Sequence, residues 1–142
     1  MTLYMITWIA LAAQPENLLA NPDFLDDLDS WSRHPGDTRA AVVDTTSGKV
    51  LRLEVDDTEE VTWRHVFQDL PAEPGMMFRA AAEARGENLR DGHGLYLSVS
   101  FYDADKRRIA HNDAAAQPGL KGWTVMRARG CAPEGTVRAS LL

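Results

Sequence analysis

The chain has one cysteine in 142 residues, Cys131, so it holds no disulfide framework and no cysteine-based zinc site. Between Arg129-Gly130 and Ala132-Pro133 that thiol reads as a small core residue at a strand end. Basic residues are also scarce: Lys and Arg total 15 against 21 Asp and Glu, a formal charge of −6. Phosphate binding wants clustered cations, so the balance argues against nucleic acid and against an anionic membrane surface as partners. The four histidines, His34, His65, His93 and His111, are scattered without zinc-binding spacing. No Gly-x-Ser-x-Gly elbow and no phosphate-cradling glycine loop occurs. Internal repeats and low-complexity linkers are missing as well. With 21 acids, chance carboxylate pairs are guaranteed, and they argue nothing about glycoside hydrolysis. These absences exclude the familiar catalytic constellations, and a non-catalytic role is expected.

What is present is an ordinary globular balance, 44% hydrophobic and 25% charged, in a length suited to one domain with a core. Residues 1–13 are apolar, too short to span a bilayer, and close on Ala10-Leu11-Ala12-Ala13 before Gln14-Pro15. That pattern reads as a secretory signal peptide, although no Lys or Arg precedes Arg33; the competing reading is a buried first strand. Residues 14–142 then form the domain, and the expected location is extracellular or periplasmic.

The body of the chain reads as short strands divided by turn chemistry. Expected strands are 40–44, 50–55, 61–70, 76–84, 95–102, 123–128 and 137–142. Turns fall at Ser47-Gly48, Pro74-Gly75, Gly92-His93-Gly94, Pro118-Gly119 and Pro133-Glu134-Gly135. Ala80-Ala81-Ala82 is the one place where a helix competes. The fold class is therefore all-β, an antiparallel β-sandwich. Leu95 to Tyr102 alternates most cleanly: Leu95, Leu97, Val99 and Phe101 face the core, and Tyr96, Ser98, Ser100 and Tyr102 face outward. The two tyrosines stand about 20 Å apart at ~3.3 Å per residue. Trp31 and Trp123 open strands and read as core anchors.

Asn17-Leu18-Leu19-Ala20-Asn21-Pro22-Asp23-Phe24 leading to Trp31 reads as a first strand and turn, with Phe24 buried. This stretch resembles the opening of secreted carbohydrate-binding modules of the family 4/9 type. Thr46-Ser47-Gly48 before Val50-Leu51-Arg52-Leu53, Val66–Leu70 before Pro74-Gly75, Phe101–Lys106, Gly122-Trp123-Thr124 and Ala132–Gly135 are similar to further elements of that family, in the same order. Lys106 stands where the family usually has Gly. The resemblance covers residues 17–142 and implies a jelly-roll topology whose concave sheet binds a glycan chain.

Carried over, that groove receives Ser32 and His34, Gln68, the Tyr96, Ser98, Ser100 and Tyr102 face, and Arg138 with Ser140. Trp63 joins Gln68 there only if a bulge separates them, since strict alternation puts the two on opposite faces. Sugar recognition needs rings for apolar sugar faces and planar or amphoteric groups for hydroxyls. Tyr96, Tyr102 and Trp63 supply the first; Gln68, Arg79, Ser98, Arg138 and Glu83 supply the second. The family's usual calcium-binding Glu is Leu25 here, and Asp26, Asp27 and Asp29 lack an EF-hand spacing. No cofactor is expected, and structural calcium is disfavoured. The family's closing strand would follow Leu142, so the sequence reads as part of a longer chain with a tethered catalytic domain. The rival expectation is a protein-interaction or spacer module of the same fold that binds no sugar.

Overall fold

The computed structural model describes residues 2–8, 17–33, 39–54, 65–87, 94–116 and 122–142, with the backbone alone for 2–8 and 116. The described residues hold ten strands and no helix, so nothing among them is long and apolar enough to cross a membrane as a helix. The strands are β1 (Thr2–Trp8), β2 (Ser32–Arg33), β3 (Ala40–Thr45), β4 (Gly48–Glu54) and β5 (Val66–Pro71). They continue with β6 (Met77–Glu87), β7 (Leu95–Tyr102), β8 (Arg108–Ala116), β9 (Thr124–Cys131) and β10 (Arg138–Leu141). One five-stranded sheet runs β3-β4-β1-β6-β9 and the other β2-β5-β10-β7-β8. Every described pairing is antiparallel.

The expected all-β antiparallel class is what the chain adopts, and its two sheets share one core in a sandwich-like arrangement. Leu51, Phe78 and Met126 of the first sheet belong to the same buried cluster as Val66, Leu97 and Leu141 of the second. Phe78 meets Phe101 across the layers with ring centroids 5.8 Å apart, edge to face. Period-two alternation builds both halves: β6 buries Phe78, Ala80, Ala82 and Ala84 and turns Arg79 and Glu83 outward. The alanine run is strand, because its small side chains fit a layer already filled by the phenylalanines and leucines facing it.

Several expectations needed correcting. Residues 17–19 are not a strand. The segment 17–31 is a knot of turns in which Asn21, Phe24, Asp27 and Ser30 all adopt left-handed φ, between 46° and 67°. The Asn21 amide donates to the carbonyls of Asp27 and Asp29 and accepts from the Asp26 N–H, while Trp31 Nε1 donates to the Asn21 carbonyl at 2.9 Å. Phe24 is fully buried, with its ring 5.2 Å from that of Trp31, so both are core anchors. Trp123 is not one: it is 37% exposed on the outer side of the first sheet. Cys131 is exposed, not a core residue, its Sγ 3.7 Å from the Gly75 carbonyl. Val137 is exposed too.

Two strands lie where the leading sequence reading had none. β8 pairs with β7 along its length, with a register shift at Phe101/Tyr102. β1 lies between β4 and β6 and pairs with both, so the segment that reads as a leader supplies the middle strand of the first sheet. The turn joining β7 to β8 is tied by the Arg107 N–H to Asp103 Oδ1 and holds Lys106 at φ 63°, a conformation that favours glycine.

Candidate functional site

The outer face of β5, β10, β7 and β8 gathers the chemistry the sequence pointed to. Directly opposed residues fall into rows across these strands. Asp69 faces Ser140, Ser140 faces Ser100, and Ser100 faces His111. One row further along, Pro71 faces Arg138 and Arg138 faces Tyr102; on the other side, Ser98 faces Asp113. Tyr96 and Ala115 oppose each other beyond that.

Small side chains make the middle of this face low. Ser98, Ser100 and Ser140 are buried although they point away from the core, and the Ser98 and Ser100 hydroxyls lie 3.5 Å apart. Larger groups rise on both sides. Arg138 donates to Asp69 Oδ2 at 2.7 Å and lies over the Tyr102 ring, 4.3 Å from its centroid. His111 Nε2 is 3.7 Å from Asp113 Oδ2. The result is a polar floor with hydroxyls at its base, an aromatic–guanidinium stack at one end and Tyr96, 41% exposed, towards the other. A β-carbon at Gly94 would lie 2.9 Å from the Tyr96 ring, so the missing side chain lets that ring lie against the backbone.

Chemically this surface exposes two phenols, an imidazole, two carboxylates and the Arg138 guanidinium above serines that are themselves almost wholly covered. Arg138 covers one face of the Tyr102 ring, and Arg108 of β8 is paired opposite Tyr102 on its other flank. A nucleophile-and-base reading of Ser100 beside His111 finds no support: no hydrogen bond joins the two hydroxyl and imidazole groups. No group of three or more metal-ligating side chains occurs among the described residues.

Of the site residues expected from sequence, Tyr96, Ser98, Ser100, Tyr102, Arg138 and Ser140 share this face. Gln68 does not. It lies on the core side of β5 opposite Leu141, 7% exposed, and both ends of its amide are occupied: Oε1 accepts from the Ala20 N–H at 2.8 Å and Nε2 donates to the Ala20 carbonyl at 3.0 Å. It ties the opening segment to the sheet as a strand backbone would, and Phe67 takes the outward place opposite Ser32. Arg79 is also elsewhere, on the outer face of the first sheet. Glu83 shares that face. Trp63 and His34 lie outside the described residues.

Asp69, His111 and Asp113 belong to the site and were missed. Asp69 was hidden by the assumption that Gln68 faced outward, since neighbours in a strand cannot share a face. His111 and Asp113 sit in β8, where Ala110 and Ala114 pack on the core at alternate positions. That weak alternation was the one available signal.

Comparison with protein-family models and with curated proteins finds no match to this chain.

Proposed function

We propose that this chain is a non-catalytic carbohydrate-binding module of jelly-roll topology, similar to the family 4/9 type, that holds a polysaccharide chain across the outer face of β7 and its neighbours. The observation that carries the reading is the low floor of Ser98, Ser100 and Ser140 between Tyr96 and the Tyr102–Arg138 stack. Apolar sugar faces gain by leaving water against an aromatic ring, and ring hydroxyls match carboxylate, imidazole and guanidinium partners. A floor about 20 Å long, set by the six-residue separation of the tyrosines, fits several sugar units rather than one. In this reading the module is exported and tethered to a glycan-active enzyme, whose effective concentration at the polymer it raises.

The test is affinity electrophoresis through gels containing β-glucan, xylan or mannan, followed by calorimetric titration of the retarding polymer. Tyr102→Ala and Tyr96→Ala are each expected to weaken binding about tenfold, the equivalent of ~1.4 kcal/mol. Folded protein that binds none of these glycans on a broad array would hand the function to a spacer or protein-interaction module.

A further inference from the structure

The outer face of the first sheet carries a second charged surface that the groove does not use. Trp123 just before β9, and Val125, Arg127 and Arg129 at alternate positions along it, face outward, and on the neighbouring β6 Arg79 lies directly opposite Arg129. Elsewhere on this sheet each arginine sits two residues from a glutamate and pairs with it: Arg52 with Glu54 at 3.1 Å and Arg85 with Glu87 at 2.8 Å. At the same spacing on β9 the partner of Arg127 is another arginine.

Among the described residues, Arg79, Arg127 and Arg129 make no ion pair. Like charges directly opposed across a strand pair are destabilising, and this chain has an excess of acids with which to relieve them. Protection of a sheet edge explains charges on β9, which is an edge strand, but not the one on β6, which is inside the sheet. Glu83, on the same face opposite Val125, pairs with none of the three, so the guanidiniums are best matched by anions from outside.

The geometry points to a linear ligand. Arg127 and Arg129 are spaced about 6.6 Å along one strand, and Arg79 lies about 5 Å across from Arg129. At the far end of the same row stands the Trp123 ring, 37% exposed, with Arg85 stacked 5.2 Å from its centroid. Guanidinium forks take carboxylate or sulfate oxygens two at a time, and an indole face takes the apolar side of a sugar ring. We propose that the outer face of β6 and β9 is a second binding surface, for a polysaccharide that carries a repeated anionic group. It is distinct from the groove and does not depend on it.

Titration of the full chain with polygalacturonate and, separately, with dextran sulfate tests this and tells carboxylate from sulfate. Binding of at least one polymer is expected at low salt, weakening as salt shortens the screening length below about 10 Å. Arg79→Gln, Arg127→Gln and Arg129→Gln together are expected to reduce it more than tenfold, and Trp123→Ala several-fold. Thermal melting checks that the triple variant is folded. Replacing all three with lysine keeps the charge and removes the forks, and should leave intermediate affinity. Tyr102→Ala should leave polyanion binding unchanged. Failure of the unaltered chain to bind either polymer, or equal binding by the triple glutamine variant, overturns the proposal. So does poly-glutamate binding as tightly as the sugars, which would make the surface a site for acidic protein.

Discussion

Single side chains decide more here than their exposure suggests. Gln68 is the clearest: its amide replaces a missing strand partner by satisfying both the N–H and the carbonyl of Ala20 inside the protein. Gln68→Leu keeps the bulk and removes both bonds, leaving two backbone groups unpaired, so it should lower the free energy of unfolding by about 2–3 kcal/mol in denaturant titration. Because Gln68 faces the core, glycan affinity of the folded variant should not change. Equal loss of binding would show that the side chain reaches the groove. Lys49 gives a pH-dependent case. Its Nζ lies 3.0 Å from Asp27 Oδ1, and that hydrogen bond, against some desolvation and with help from Asp44 and Asp26, raises the lysine above its ordinary value of 10.5. A raised lysine contributes stability that is intact below its unfolded value and is lost as pH climbs through the folded one. The difference in melting temperature between the protein and Lys49→Met is therefore expected to be flat from neutral pH to about 10 and to shrink only beyond it. The pair is exposed, so the difference itself is small.

At the scale of elements, β8 and β9 show how a strand weak in propensity is held by its neighbours. Arg-Ile-Ala-His-Asn-Asp-Ala-Ala-Ala has little β-branched character, yet it pairs with β7 from end to end. Part of the reason is Gly130 on β9, which leaves room for the Phe101 ring of β7 and for Asn112 of β8. An added β-carbon there would fall 2.8 Å from Phe101 Cε2 and 2.9 Å from Asn112 Nδ2. Gly130→Ala should then cost about 1–3 kcal/mol in overpacking, with hydrogen exchange accelerating first in β8. Unchanged protection of 108–116 would mean that the neighbouring strands yield without strain. The two Pro-and-Gly turns, Ala72–Met76 and Ala132–Thr136, act as another unit. They exchange backbone bonds between Gly75 and Ala132 and between Ala132 and Met76, both 2.8 Å, which fixes the end of the sandwich where Arg138 enters β10.

For the whole molecule the decisive feature is β1. It pairs antiparallel with β4 and with β6, so those two strands run parallel to each other and have no contact of their own through the sheet. A chain beginning at Gln14 leaves two facing strand edges unpaired, each a template for another strand. Such a chain is expected to melt at a lower temperature and to self-associate in analytical ultracentrifugation. A monomer as stable as the full chain would show that β4 and β6 close on each other unaided. Excision of residues 1–13 on export and a structural role for Thr2–Trp8 make opposite demands on the same segment. Amino-terminal sequencing of protein recovered outside the cell distinguishes them directly.

The local pattern of residues was enough to fix the strand class, most strand positions and the outward face of β7, because alternation with a period of two and turn chemistry at Gly and Pro act over a few residues. Tyr96, Ser98 and Tyr102 could be placed together on that basis, Arg138 was added to them only by the family resemblance, and Phe24 and Trp31 could be placed in the core. Only the tertiary structure decided that Gln68 points inward to Ala20, that Arg79 lies on the other sheet, that His111 and Asp113 complete the face, and that the first segment is a middle strand. Each of these depends on which strand lies beside which, and pairing between residues distant in the chain is set by how the whole core closes, not by any period within a segment.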